Sequence, residues 1–241
     1  MKKILGLFIL FVLILLPLGL NAQTWSAIER LTWNSGDSQY ASIAADSGTG
    51  IHVVWQDSTP GQAEIYYKRS TDIGVTWSAP FRLTWSSDYS NTPFIAADQT
   101  SSSLQVVWVD AFTRDIFFKR STDSGTTWTA LKRLTWNPEQ SKNPVIALDS
   151  GGNAHVIWAD KTPGNLEIFY KRSTNNYLNW GVITRLTWNN GLSESPSLYI
   201  DASDRMHLVW EDLSPGNREI FYKRSTNHGT TWSAPVRLTW N

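Results

Sequence analysis

An all-β chain made of repeated four-stranded units is what this sequence predicts, and three observations carry the prediction. Arg-Leu-Thr-Trp occurs at residues 30–33, 82–85, 133–136, 185–188 and 237–240, at spacings of 52, 51, 52 and 52. Between these marks each unit repeats a tryptophan followed two residues later by an acid: Trp55 and Asp57, Trp108 and Asp110, Trp158 and Asp160, Trp210 and Asp212. Two aromatic residues and Lys-Arg-Ser-Thr then follow, ending at Thr71, Thr122, Thr174 and Thr226. Beyond residue 22 no ten-residue stretch has helical periodicity, because Gly or Pro interrupts nearly every candidate. Four antiparallel strands repeated every 40–50 residues is the arithmetic of propeller blades. The predicted fold is therefore a β-propeller with four complete repeats of about 52 residues and one extra amino-terminal strand of the fourth type.

The elements follow in order. Residues 1–22 carry Lys2 and Lys3, an apolar run from Ile4, and the helix breakers Pro17 and Gly19, the pattern of a secretory leader cleaved near Gln23. The apolar run is long for a leader and just short of a bilayer span, so an uncleaved anchor stays open. Residues 24–33 copy the last strand of a unit and supply the extra strand. The four blades then span 34–85, 86–136, 137–188 and 189–240. In the first, residues 40–45 form a short apolar strand ending at the turn signal Asp46-Ser47-Gly48, and 51–55 are β-branched and aromatic, which suits a second strand. Ser58-Thr59-Pro60-Gly61 turns into a third strand, 64–70, where Ile65 and Tyr67 share one face. After a further turn, 76–85 gives the fourth, with Phe81, Leu83 and Trp85 alternating.

Composition narrows the function. The 21 basic and 21 acidic residues balance, which removes the electrostatic case for nucleic acid or an anionic membrane as partner. There is no cysteine, hence no disulfide and no thiolate metal site. Fourteen tryptophans, most of them in register, predict an aromatic core.

The turn between the third and fourth strands reads Ser70, Asp72, Gly74, Trp77; Ser121, Asp123, Gly125, Trp128; Ser173, Asn175, Tyr177, Trp180; and Ser225, Asn227, Gly229, Trp232. This resembles the Asp-box, the Ser-x-Asp-x-Gly-x-x-Trp hairpin of bacterial sialidases and related propellers, over essentially the whole chain after residue 22. The chemistry of the spacing is structural. The Asp or Asn oxygen accepts from nearby backbone N–H groups, Gly takes positive φ, and Trp caps the hairpin. One carboxylate per turn falls short of the six to eight oxygens of a calcium site, so no metal and no cofactor is expected. Tyr177, standing where Gly belongs, predicts a strained or re-formed third hairpin.

Sialidases of this superfamily hold a carboxylate with three arginines and use a tyrosine paired with a glutamate and an aspartate acid/base, each from a different blade. In this chain Arg69, Arg120, Arg172 and Arg224 recur in every unit, as do the arginines of Arg-Leu-Thr-Trp, and the family's Phe-Arg-Ile-Pro motif is missing. The acids Asp57, Asp110, Asp160 and Asp212, with Glu64, Asp115, Glu167 and Glu219, pair formally as glycosidase carboxylates. Their recurrence instead points to ion pairs with the Lys-Arg of the third strand. His52, His155 and His207 share one repeat position with Gln105, and His228 lies in a turn, which makes neither a zinc cluster nor a catalytic triad.

Equivalence does favour repeated binding: grooves between blades, lined by Trp and Tyr, suit sugar rings or extended polymers. The loops 37–40, 88–91, 139–143 and 192–195 are the candidate contact segments. The functional expectation is thus a secreted, non-catalytic scaffold for an extracellular glycan or protein; a sialidase-like glycoside hydrolase, or a piece of one, and a structural adhesion component are the alternatives. The surplus strand predicts either a four-bladed ring with an extra edge or part of a larger ring, and an open edge predicts self-association.

Overall fold

The computed structural model describes residues 26–174, 177 and 179–240. The expected leader and Asn175 lie outside them. Residues 26–31 belong to a first unit, and the sheets all belong to a second, Thr32–Asn241. Sixteen strands make four separate antiparallel sheets, each with its strands in chain order. Blade 1 holds β1 (Ser38–Ala45), β2 (Ile51–Asp57), β3 (Glu64–Ser70) and β4 (Phe81–Arg82). Blade 2 holds β5 (Ser90–Ala97), β6 (Leu104–Asp110), β7 (Asp115–Ser121) and β8 (Lys132–Arg133). Blade 3 holds β9 (Ser141–Leu148), β10 (Ala154–Asp160), β11 (Glu167–Ser173) and β12 (Thr184–Arg185). Blade 4 holds β13 (Ser193–Ile200), β14 (Met206–Asp212), β15 (Glu219–Ser225) and β16 (Val236–Arg237). The described residues contain no helix, and the fold is the expected all-β propeller architecture.

The fourth strands are far shorter than the ten residues expected. In blade 1 only Phe81 and Arg82 pair in register with Tyr67 and Tyr66. Side chains complete what the backbone leaves. Pro80 has no N–H to donate; the Thr84 hydroxyl, rather than a carbonyl, accepts the Ile65 N–H at 2.9 Å; and Ser78 N–H reaches Arg69 O at 2.8 Å. Among the described residues no sheet includes 26–33, so the extra copy is not a sheet strand there. Its end still repeats the unit's contacts: Lys68 Nζ lies 5.8 Å over the Trp33 ring, as Lys119 lies 5.6 Å over Trp85.

The core sits between blades rather than within them, because a four-stranded sheet has two faces and each needs a neighbour. Val54, Ile65, Tyr67 and Leu83 of blade 1 pack on Ile95, Leu104, Val106 and Trp108 of blade 2. The same arrangement joins blades 2 and 3, and blades 3 and 4. Successive first strands touch (β1 with β5, β5 with β9, β9 with β13), whereas fourth strands touch only their own blade. The first strands therefore line the inner side of the arc. β1 and β13 do not touch, so the four blades form an open arc and not a closed ring.

Candidate functional site

The hairpins between third and fourth strands are built by their own side chains. Ser70 Oγ donates to Asp72 Oδ1 (2.7 Å) and accepts from Gly74 N–H (2.8 Å), while Asp72 accepts from the Thr76 N–H (2.8 Å) and hydroxyl (2.6 Å). Ser121, Asp123, Gly125 and Thr127 repeat this set. The threonine contacts, first the hydroxyl and then the N–H, followed by the serine hydroxyl, pull the Asp72 and Asp123 carboxyls down to about 2. Asn227 serves through its amide oxygen, which accepts from Ser225 Oγ at 3.0 Å and Thr231 N–H at 2.9 Å. Two consecutive residues have positive φ at Ile73-Gly74, Ser124-Gly125 and His228-Gly229, as a tight type I′ hairpin requires.

The departure at Tyr177 has a cause in the preceding blade. A Cβ on Gly125 would lie 1.9 Å from Tyr67 Oη, and one on Gly229 would lie 2.1 Å from Tyr170 Oη. Glycine is needed there because a tyrosine of the blade before already fills the space. Blade 2 has Phe118 at that position, without a hydroxyl, and Tyr177 of blade 3 supplies one from the opposite side. Its ring stacks on Phe118 at 5.8 Å and its hydroxyl donates to Gly152 O (2.6 Å) and meets Gln105 Nε2 at 3.0 Å. Tyr177 keeps the left-handed φ of 66° and is buried. The expected strain is thus offset by packing and hydrogen bonds. Ser173 Oγ donates instead to Asn179 O. Trp128, Trp180 and Trp232 stand edge-on to Tyr67, Phe118 and Tyr170, so they cap the previous blade as well as their own turn.

The repeated ionisable residues are committed to partners within and between the blades. Asp57 accepts from Trp55 Nε1 (2.9 Å), Ser38 Oγ (2.9 Å) and Thr59 N–H (2.9 Å). Glu64 pairs with Arg82 at 2.7 Å, Asp115 with Arg133, Glu167 with Arg185 and Glu219 with Arg237. Their partners are therefore the Arg-Leu-Thr-Trp arginines and not, as expected, the Lys-Arg of the third strand. The reason is register: those third-strand residues reach across to neighbouring blades. Lys119 donates to Leu83 O, and Arg69 donates to Ser124 O at 2.6 Å. His52 bridges Tyr67 Oη (2.8 Å) and Asp46 (3.2 Å), and burial lowers its pKa. His155 and His207 repeat that bridge to Tyr170 and Asp149, and to Tyr222 and Asp201.

Two kinds of open surface bear on ligand binding. The first is a groove at the inter-blade rim, present beside Trp85 and beside Trp188. Trp33, Trp85, Trp136, Trp188 and Trp240 are 65–71 % exposed, so these five are not core, unlike buried Trp55, Trp108, Trp158 and Trp210. Arg82 lies 5.6 Å over Trp85 from its own blade and Lys119 5.6 Å from the next. Cation–π contact on both sides holds a large apolar ring in water without burying it. A cavity of about 280 Å³ lies beside Trp85, with Trp108 and Phe117 as floor and Asp110 and Ser90 as wall; one of about 270 Å³ repeats it at Trp188. Ser90 Oγ is buried there and has no hydrogen-bond partner in the chain.

The second is the inner mouth, a cavity of about 280 Å³ lined by Gln39, Tyr40, Gln56, Asn91, Thr92, Gln140, Lys142 and Asn143 among others. It joins three of the four candidate loops, 37–40, 88–91 and 139–143. Here the blades differ. The facing cross-strand pairs are Gln39 with Gln56, Asn91 with Val109, Lys142 with Ala159 and Glu194 with Glu211. In blade 4 the two facing acids are bridged by Arg218, 2.6 Å from Glu194 and 3.5 Å from Glu211. Each first strand bulges at this point, with Tyr40, Thr92, Asn143 and Ser195 at φ of 47–52°. A left-handed Thr or Tyr is strained, and Tyr40, Thr92 and Asn143 line the mouth from these bulges. Gln56 Oε1 is shielded from solvent with no partner. The sequence placed these segments outside the strands, whereas 38–40, 90–91, 141–143 and 193–195 belong to β1, β5, β9 and β13, whose bulges hide the strand pattern; their convergence was not legible either, since 100 residues separate Gln39 from Gln140.

No family model matches the chain, and no curated protein matches it. Solved structures do. A protein of unknown function from Dyadobacter fermentans superposes with a TM-score of 0.67 at 12% identity, over 84% of this chain and 69% of that one. The intramolecular trans-sialidase from Ruminococcus gnavus gives 0.64 at 13%, over 84% and 71%. The catalytic domain of the Coprinopsis cinerea GH62 α-L-arabinofuranosidase gives 0.56 at 16%, over 82% and 67%. The fold is that of the sialidase-like β-propellers. At such identity the likeness speaks for the fold alone.

Proposed function

We propose that this chain is a secreted, non-catalytic binding propeller whose ligand is a glycan held at the inner mouth. The observation that carries the reading is the blade-to-blade chemical difference in the facing pairs there, Gln39 with Gln56, Asn91 with Val109, Lys142 with Ala159 and Glu194 with Glu211, while most of the unit repeats. Amides offer donor and acceptor side by side, which matches vicinal hydroxyls, each of which is also donor and acceptor. Gln39, Gln56, Asn91, Gln140 and Asn143 supply five amides, and Lys142 one amine. The acids nearest this register, Glu194 and Glu211, are engaged by Arg218, which speaks against a free carboxylate pair for hydrolysis. The Ser-Asp hairpins fit the Asp-box pattern as fold supports, and the glycoside-processing neighbours of the same fold favour a sugar over a protein ligand.

The exposed tryptophans favour a second mode of the same function. Rings at regular intervals around the rim suit successive residues of a polymer, with affinity gained by multivalency. Glycan-array screening followed by calorimetry tests the proposal. Gln56→Leu and Asn91→Leu are expected to weaken the best ligand at least about tenfold, a loss of about 1.4 kcal/mol, with an unchanged melting curve. Turnover of a fluorogenic sialoside or arabinofuranoside by the purified protein would establish the hydrolase instead. Retention of no glycan at all defeats both.

A further inference from the structure

Every inter-blade interface in this chain has two unlike sides. The leading side is Val54, Ile65, Tyr67 and Leu83 of blade 1, or their equivalents; the trailing side is Ile95, Val106 and Trp108 of the following blade. Because the arc is open, one copy of each side is left over. On blade 1 the trailing side is bare at its first strand: Ile43 is 67% exposed, whereas its equivalents Ile95, Ile146 and Leu198 are at 8% or less; Val53 and Trp55 of the same side are already buried. On blade 4 the leading side is bare: Leu238 is 47% exposed against 2% or less for Leu83, Leu134 and Leu186. Val209, Ile220 and Tyr222 are likewise half-buried where Val54, Ile65 and Tyr67 are buried.

We propose that the leading side of blade 4 packs on the trailing side of blade 1 of a second copy, head to tail. The two bare surfaces are the two halves of an interface that the chain forms three times internally, between blades 1 and 2, 2 and 3, and 3 and 4. Among the described residues no leading side packs on a leading side, so a two-fold symmetric contact has no precedent there. The contact is therefore heterologous, and each copy uses both ends.

Blade 1 already receives one segment in the manner of a preceding blade: Trp33 lies under Lys68 as Trp85 of blade 1 lies under Lys119 of blade 2. Residues 237–241 repeat residues 30–34 letter for letter, Arg-Leu-Thr-Trp-Asn. An arriving blade 4 thus replaces that segment with an identical one. The contacts exchanged are equivalent, Leu238 taking the place of Leu31, and the net gain is the burial of Ile43, Val209, Ile220 and Tyr222.

Sedimentation velocity of the purified protein over roughly two decades of concentration is the first test, since mass action drives association. Concentration-dependent assembly is expected. Ile43→Asp and Leu238→Asp alter residues already exposed in the single copy, so each variant is expected to stay folded and to become monomeric. Mixed together, they keep one good side each and form a one-to-one pair that assembles no further. The chain has no cysteine, so Ile43→Cys and Leu238→Cys, mixed and treated with a bismaleimide, supply a second readout: a cross-linked pair from the mixture. A strictly monomeric parent protein overturns the proposal. So does assembly indifferent to both aspartates, or a mixture that forms no pair.

Discussion

Replacing Tyr177 by glycine, the residue the other three hairpins carry there, is expected to destabilise this protein rather than repair it. The substitution deletes a buried ring stacked on Phe118 at 5.8 Å and a hydroxyl bonded to Gly152 O and Gln105. Loss of a buried aromatic side chain costs about 3–5 kcal/mol, and the hydrogen bond lost by Gln105 Nε2, which keeps only Ser103 Oγ, adds about 1 kcal/mol. Relief of the left-handed φ returns about 1 kcal/mol. The net loss is about 3–5 kcal/mol, which lowers Tm by about 10 °C in a chain of this size. Phe118→Tyr alone is also expected to destabilise, by about 1–3 kcal/mol, because its hydroxyl would enter space that Tyr177 occupies. The triple change Gln105→His, Phe118→Tyr and Tyr177→Gly rebuilds the arrangement of His155, Tyr170 and Gly229, in which the hydroxyl belongs to the earlier blade. It is expected to recover stability to within about 1 kcal/mol of the parent, a coupling larger than most neighbouring pairs show. Thermal and urea unfolding of the purified variants measure it. Additive losses in the triple variant would refute the idea that the two blades exchanged one tyrosine for another.

Four further outcomes follow from the same geometry. Asp72 and Asp123 have folded pKa values of about 2 against an ordinary 3.8, so the stability they supply is complete above 3.8 and drains as pH falls toward 2; Asp72→Asn with Asp123→Asn should flatten acid unfolding in that window. Burial lowers the His52 pKa below 6.5, so protonation opposes folding and stability falls as pH drops below that value; His52→Gln, the residue that blade 2 uses at Gln105, should reduce this slope in melting curves. Arg82→Ala leaves Glu64 buried without its cation and should cost about 3–5 kcal/mol by denaturant unfolding. Trp85→Ala, by contrast, removes an exposed ring and should change stability by about 1–2 kcal/mol while weakening retention on a polymeric glycan column.

Much of the fold was legible because the unit repeats. The third strand fell at 64–70 as expected, since Ile65 and Tyr67 must share the face that meets the next blade. The fourth strand was overestimated because alternation at Phe81, Leu83 and Trp85 is also satisfied by a segment pinned by Thr84 and Arg82 side chains, with the ring of Trp85 in solvent. Recurrence made every tryptophan look alike, yet Trp108 is buried and Trp85 lies exposed between two cations. Spacing carries no information on which side of a ring meets water.

The sequence by itself determined the period, the antiparallel sheets and the turn chemistry, because hydrogen-bonding spacing, left-handed glycines and Ser-Asp contacts act over a few residues. Only the tertiary structure decided that the arc stays open between β1 and β13, that Tyr177 answers Phe118 of the previous blade, and that the blade-specific side chains meet at one inner mouth. Those are contacts between units, about one repeat or more apart along the chain. The small turn from one blade to the next sets them, and no local pattern encodes it.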